Sequence, residues 1–269
     1  MTKAEFRRKI YRFYRANRRD FPWRRTRNPY RILVSEIMLQ QTQVSRVEEK
    51  YERFLQKFPT IQRLAIAQTK DVLKEWQGLG YNRRAFSLKR LSEIIVKTNR
   101  GKIPEKSEEL LRLPGVGPAT AGAIMAFAWN APSVFIETNI RRAYIHEWFK
   151  RKKKVTDTEV LLLVEQTFDK KNPREWYYAL MDYGSMLGKK LGKDNPNKRS
   201  RKYLMQTPFL GSNREARGRI VSLLLERDRT LGDLRKACDV KNNRFLEALK
   251  ALVSEGAVIE KRNKFSIAK

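Results

Sequence analysis

Two glutamates stand where acid–base chemistry at one centre would need them. Glu36 lies in the run Ser35-Glu36-Ile37-Met38-Leu39-Gln40-Gln41, on an otherwise apolar helix face. A carboxyl group among apolar side chains tends to keep its proton, because desolvation disfavours the charge. Glu137 follows the apolar run Val134-Phe135-Ile136 and precedes a helix start, 20 residues beyond Gly117. A carboxylate at a helix N-terminus tends to stay ionised. An acid and an anion at one pH is what cleavage of a glycosidic bond requires. Each residue also has a plainer account: a structural hydrogen bond for Glu36, a helix cap for Glu137.

A third stretch offers binding rather than acid–base work. Leu110-Leu111 ends a short helix that runs into Leu113-Pro114-Gly115-Val116-Gly117, and Pro118 opens the next helix. Proline suits a first helical turn, where its missing amide would have had no partner. Gly115 and Gly117 permit a tight hairpin and close backbone approach. Amides exposed at such a turn, with the positive end of the helix dipole, make an anion site. That is a helix-hairpin-helix, a sequence-independent clamp on phosphate; a Gly-rich turn between two core helices is the alternative.

Composition narrows the anion. The chain has 269 residues, with Lys+Arg 59 against Asp+Glu 29, a formal net charge of +30. Charge of this size speaks to partners rather than fold. Nucleic acid comes first and an anionic membrane surface second. No apolar run approaches a membrane span, and no signal-peptide core follows the basic N-terminus. A single cysteine, Cys238, and a single histidine, His146, exclude an internal disulfide, a multi-cysteine metal site and a multi-histidine zinc site. The chain reads as soluble and intracellular.

The elements that must position these residues are helical. Residues 3–19 form a basic amphipathic helix with Phe6, Ile10, Phe13 and Tyr14 on one face. The helical pattern resumes from Arg31 to about Phe58, then in short helices 61–67 and 71–76, and again over 82–97. Gly78-Leu79-Gly80-Tyr81 is a turn. Helices are expected over 119–129, 140–149, 158–168 and 174–188. Residues 189–208 are basic and poor in apolar side chains, as a linker would be. Beyond it, helices 214–227, 230–238 and 242–255 and two short strands around Arg262-Asn263 suggest a small winged helix.

Residues 22–145 resemble the catalytic core of the helix-hairpin-helix DNA glycosylases, the endonuclease III-like superfamily, and within it the adenine DNA glycosylases. The matching segments are PWR at 22–24, NPYRILVSEIMLQQTQV at 28–44, FPT at 58–60, WQGLGYNRRA at 76–85, LPGVGPATAGAI at 113–124 and IETNIRR at 136–142, with MDYGSM at 181–186. The MLQQTQ run and GLGY favour the adenine branch. The resemblance implies a mainly α fold with a glycosylase core of two helical lobes over residues 1–188; the composition and pattern beyond it give the basic linker at 189–210 and the winged-helix-like domain at 211–269. The resemblance also implies that Glu36 is the general acid that protonates a flipped base. Gln40 and Gln41 would sit at the disrupted base pair, and Tyr81 would wedge into the base stack. Gly115, Val116 and Gly117 would clamp phosphate, and Asn139 would support the catalytic carboxylate. The partner would be double-stranded DNA carrying a mismatch or damaged base, bound by a monomer in the cytoplasm at the nucleoid.

Four features depart from the family pattern. The superfamily's catalytic aspartate falls on Glu137, whose carboxylate reaches roughly 1.5 Å further. The cysteine quartet that holds an iron–sulfur cluster in most relatives is missing, so no cluster is expected and no metal is assigned to side chains. A structural monovalent cation held by hairpin carbonyls is common in the superfamily. The relatives' domain that recognises 8-oxoguanine is replaced by the small C-terminal domain. Ala119 stands where the lyase branch has a Schiff-base lysine, and alanine cannot attack a sugar. The expected activity is hydrolysis of the N-glycosidic bond of a mispaired base, adenine first, with hypoxanthine or uracil as alternatives. The other class of function is a DNA-structure-binding protein that has lost catalysis.

Overall fold

The structure, a computed structural model, describes residues 1–205 and 208–268. It is mainly α, as expected. Helices α1 (Lys3–Asn17), α2 (Pro29–Leu39), α3 (Val44–Lys57), α4 (Ile61–Ile66), α5 (Thr69–Trp76), α6 (Arg83–Asn99) and α7 (Ser107–Leu111) lead to the hairpin. Then come α8 (Pro118–Trp129), α9 (Thr138–Trp148), α10 (Asp157–Thr167), α11 (Pro173–Leu191), α12 (Asn213–Glu226), α13 (Leu231–Ala237) and α14 (Asn242–Ser254). Strands β1 (Val258–Lys261) and β2 (Lys264–Ile267) close the chain. Two compact units form. Unit 1 comprises Met1–Glu36, Pro104–Arg112 and Val116–Met205; unit 2 comprises Ile37–Ile103, Leu113–Gly115 and Gln206–Lys269.

Unit 1 is built on α9 and α11. Their backbones approach so closely at Gly184 that a Cβ there would lie 2.0 Å from the Asn139 carbonyl oxygen. Helix α1 lays Phe6 against Tyr144, Trp148 and Trp176, with ring centroids 5.1, 5.8 and 5.9 Å away. Arg7 then closes the end of α10, donating to the carbonyls of Thr167 (2.7 Å) and Phe168 (2.9 Å), which have no partner within the helix. Helix α8 is apolar around most of its circumference, with Ala121, Ala123, Ile124, Ala126 and Phe127 all buried, as befits a core helix. Part of the basic stretch after α11 is ordered into two 3-10 turns, Gly192–Asp194 and Pro196–Arg199. Arg199 holds it to the end of α9 through the carbonyls of Ile145 (3.2 Å), Lys150 (2.9 Å) and Phe149.

In unit 2, α6 packs on α4 and α5 around the buried Trp76, Leu88, Leu91 and Ile95. The pattern that reads as one helix from Arg31 to about Phe58 is interrupted. Helix α2 stops at Leu39 and α3 starts at Val44, with Gln41 in a left-handed conformation (φ 54°) between them. The cause is Arg84, which is 8% exposed. Its guanidinium takes the carbonyls of Ile37 (2.9 Å) and Met38 (2.6 Å), satisfying the end of α2, and reaches the Thr42 hydroxyl at 2.7 Å. The C-terminal segment supplies three helices and an antiparallel hairpin whose register runs from Val258↔Ile267 to Lys261↔Lys264. Arg262 and Asn263 at its tip both have positive φ (51° and 60°), as a two-residue primed turn demands.

Candidate active site

Glu36 is placed by α2, and the start of that helix is well specified. Asn28 caps it, its Oδ1 accepting from the Arg31 amide at 3.1 Å, and Pro29 fills the first turn. Its sequence neighbours Ile32, Leu33, Val34, Ile37 and Met38 are all buried, which fixes the face that Glu36 occupies. The Glu36 side chain is half-buried, and among the described residues none hydrogen-bonds its carboxyl group. Burial first, and the charge of Glu137 second, push its pKa up to about 8, while Arg24 opposes the shift. At neutral pH Glu36 therefore carries a proton.

Glu137 is held quite differently. It is the N-cap of α9, with Oε1 accepting from the amides of Asn139 (2.7 Å) and Ile140 (2.8 Å). Oε2 accepts from Asn139 Nδ2 at 3.2 Å. A glutamate caps its own helix only by folding back, and this brings the longer side chain close to the backbone. Position at a helix start argues for an ordinary, low pKa. Burial moves the pKa upwards instead, against the Asn139 and Ile140 amides and the charges of Arg142 and Arg141. Of the two carboxyl groups, Glu137 is the one whose anion is met by donors, so the shared environment favours the proton on Glu36.

Behind Glu137 runs a network that the sequence did not announce. Arg142 Nη1 donates to Asn139 Oδ1 and to the Gly184 carbonyl, both at 2.8 Å. Its Nε donates to Asn195 Oδ1 at 3.0 Å, and Asn197 Nδ2 donates to the Thr138 carbonyl at 2.9 Å. Asn139, expected to support the carboxylate, thus touches it directly and is itself fixed by Arg142. A second missed pair is Arg24–Asp182, a two-pronged ion pair with both N···O distances 2.8 Å, joined by Arg19 at 2.6 Å. Burial alone would raise Asp182; the Arg24 and Arg19 forks outweigh it and leave the carboxyl below its usual range. The signal available was the spacing of arginine in PWR and aspartate in MDYGSM, whose meaning only the fold supplies.

The other expected site residues lie in unit 2 or at the hairpin. Gln40 Nε2 donates to the Gly115 carbonyl at 3.1 Å, and Gln41 is exposed at the break after α2. Gly115 has φ +81°, and a Cβ there would lie 2.7 Å from Ser87 Cβ, so glycine is required on both counts. Val116 is buried and Gly117 is exposed, with nothing within 4 Å of where its Cβ would be. Gly117 also caps α8 without any side-chain hydrogen bond to the first amides. That leaves the helix terminus open for an anion. Tyr81 ends the turn after α5 in a left-handed conformation, φ 47°. Its hydroxyl accepts from Arg214 Nη1 at 2.8 Å. Arg84 was legible in principle: a charged residue on the stripe Arg84, Leu88, Leu91 of α6 must be buried with partners. Among the described residues no helix is long and apolar enough to cross a membrane.

Comparison with known proteins places this arrangement. The family described as HhH-GPD superfamily base excision DNA repair protein matches residues 34–170. An adenine DNA glycosylase of Buchnera aphidicola subsp. Baizongia pistaciae (strain Bp) is 33% identical over 192 residues, covering 70% of this chain and 54% of that protein. A thymine/uracil-DNA glycosylase of Methanothermobacter thermautotrophicus is 33% identical over 141 residues, covering 52% and 63%. The structure of a thermostable thymine-DNA glycosylase superimposes with a TM-score of 0.62 at 27% identity, covering 69% of this chain and 87% of that one. The chain spans about half the length of the first curated relatives it matches. It belongs to the HhH-GPD superfamily of base excision DNA repair proteins.

Proposed function

We propose that the protein is a monofunctional DNA glycosylase that hydrolyses the N-glycosidic bond of a mispaired base in duplex DNA, most readily adenine. The observation that carries this reading is the Glu36–Glu137 pair: a carboxyl group with no hydrogen-bond partner among the described residues beside one held by three N–H donors. Glu36 gives its proton to an imidazole nitrogen of the flipped base. The C1′–N bond breaks, its electron pair leaves with the base, and the sugar becomes an oxocarbenium ion. The Glu137 carboxylate stabilises that charge. Water then attacks C1′ and loses its proton to Glu36, which regenerates the acid. Ala119 supplies no amine, so the product is a plain abasic site.

The remaining site residues take binding roles. Gln40, Gln41 and Tyr81 act at the opened base pair, and the amides of Gly115, Val116 and Gly117 hold phosphate. DNA is the partner, bound by one copy of the chain; the site of action is the cytoplasmic nucleoid. No iron–sulfur cluster takes part, because the chain has one cysteine and a cluster takes a quartet of ligands. Relatives with adenine and with thymine or uracil in their names both resemble the chain, which keeps uracil as a next substrate; hypoxanthine, the deaminated form of adenine, is the other. Single-turnover release of base from a panel of duplexes tests the proposal, with adenine, hypoxanthine, uracil and thymine each placed in mismatches. Wild type is expected to act on at least one, and Glu36→Gln to release nothing while binding the same duplex within a few-fold. Tight binding of mismatched DNA with no release from any duplex would instead leave a DNA-structure-binding protein.

A further inference from the structure

We propose that Arg214, in the first turn of α12, is a positioning residue for Tyr81, so that the C-terminal segment sets the side chain that opens the duplex. The proposal rests on the role of Tyr81 given above. The turn that carries Tyr81 is unusual in its backbone: Gly78, Gly80 and Tyr81 have φ of 90°, 70° and 47°. Two of the three are glycine and adopt this freely. For tyrosine the left-handed region is unfavourable and persists only where the surroundings impose it.

Two arginines supply those surroundings. Arg84 lies with its guanidinium 5.6 Å from the Tyr81 ring centroid, and its amide donates to the Tyr81 carbonyl at 2.9 Å. Arg84 is itself fixed by the carbonyls at the end of α2 and by those of Leu79 (3.1 Å) and Gly80 (3.0 Å). Arg214 comes from 133 residues further along the chain, donates to the Tyr81 hydroxyl at 2.8 Å, and holds its guanidinium 5.5 Å from the ring centroid. Arg84 thus fixes where Tyr81 leaves the backbone, and Arg214 fixes where its phenol tip points.

Arg214 can do this because α12 is firmly seated. Ser212 caps α12 by accepting from the Glu215 amide. Ile220 and Leu224 anchor the helix in the core of the C-terminal segment, and α12 also packs on α5. Lys70 of α5 pairs with Asp228, just beyond α12, at 3.1 Å. Both ends of α12 therefore reach the lobe that carries Tyr81. A guanidinium is suited to the task, since it can lie over an aromatic ring and donate a hydrogen bond.

The experiment is stopped-flow fluorescence of 2-aminopurine placed beside a mismatch, which reads base unstacking without needing bond cleavage. Wild type, Arg214→Ala, Tyr81→Phe and the double variant are compared, with Arg214→Lys as the conservative substitution and equilibrium affinity measured in parallel. Tyr81→Phe should slow opening about fivefold, the value of one hydrogen bond, and Arg214→Ala at least as much, since it also removes the guanidinium over the ring. The double variant should be no slower than Arg214→Ala, which already removes both the hydrogen bond and the ring contact, and Arg214→Lys should recover most of the rate. Multiplying effects, or a loss of affinity from Arg214→Ala that persists in the Tyr81→Phe background, would show Arg214 acting on phosphate directly and overturn the proposal. An unchanged Arg214→Ala rate would also overturn it. If wild type produces no fluorescence change on any duplex, the glycosylase reading has failed first, and the coupling falls with it.

Discussion

The charge of Glu137 helps to hold a proton on Glu36, after burial, which is the larger cause. This relationship has a consequence for stability that is independent of any substrate. The folded-state pKa of Glu36 is about 8 against 4.5 for the free group. Between those values the folded protein binds a proton that the unfolded chain does not. The stabilising contribution is complete below about pH 4.5 and is lost as pH rises through about 8. Glu36→Gln has no proton to lose, so its melting temperature should gain on wild type steadily from about pH 5 to about pH 9. A constant difference across that range would show that Glu36 titrates normally. Base release by wild type should also fall above about pH 8, where the acid is deprotonated.

Glu137 is tested by length and charge separately. Glu137→Gln keeps the length and removes the charge, and single-turnover release should drop by about 100-fold or more. Glu137→Asp keeps the charge. If the folded-back cap is an accommodation of the longer side chain, aspartate will match or exceed wild type; if the pocket has adapted to glutamate, it will fall short. A Gln variant as fast as wild type would reduce Glu137 to a helix cap.

Arg84 is the residue whose loss should cost most in unit 2. Arg84→Ala strands the carbonyls of Ile37 and Met38. It also takes one donor from those of Leu79 and Gly80, which keep Thr42 Oγ1 and Trp76 Nε1, each at 3.2 Å. Leaving buried acceptors unpaired costs about 1–3 kcal/mol each at most, and not additively, so a loss of about 3–5 kcal/mol is expected in urea melts. Arg84→Lys should recover only part, because an ammonium cannot fork. A loss under about 1 kcal/mol would mean that water replaces the guanidinium.

Gly184→Ala should be nearly as damaging, for a steric reason. The new Cβ would meet backbone, not a movable side chain, at 2.0 Å from the Asn139 carbonyl oxygen. Separation of α9 from α11 should cost at least about 1–3 kcal/mol. Because Asn139 shifts with α9, base release measured well below the melting temperature should fall too. Full activity in the folded variant would show that Asn139 need not be placed accurately.

Binding to duplex DNA should be dominated by phosphate contacts, given the net charge of +30. Log K against log[salt] should slope by about −0.9 for each phosphate neutralised. A nearly flat plot would remove the electrostatic basis for DNA as the partner.

The sequence showed the helical class, the hairpin and the places of both carboxylates, because each depends on local pattern: apolar spacing, glycine at a turn, a carboxylate at a helix start; Asn139 came only from the resemblance. It missed what depends on distant partners. The break after Leu39 is invisible in α2 itself, since the cause is a guanidinium from α6. The hold of Arg142 on Asn139 needs Asn195, and that of Arg214 on Tyr81 needs α12. Periodicity cannot report a hydrogen bond across 133 residues. The raised pKa of Glu137 was missed for a related reason: a helix-start position reveals the donors but not the burial that outweighs them.

The interleaving of the two units governs how the chain is made. Unit 1 draws on residues from Met1 to Met205, and unit 2 on residues from Ile37 to the C-terminus. A ribosome adding about 5–20 residues per second releases neither as an early, self-sufficient piece. Helix α2 emerges long before the later segments of the units to which its residues belong. Its apolar face, Ile32, Leu33, Val34, Ile37 and Met38, stays uncovered during synthesis. Nascent chains should therefore depend on chaperones at least until residues 113–205 have been translated.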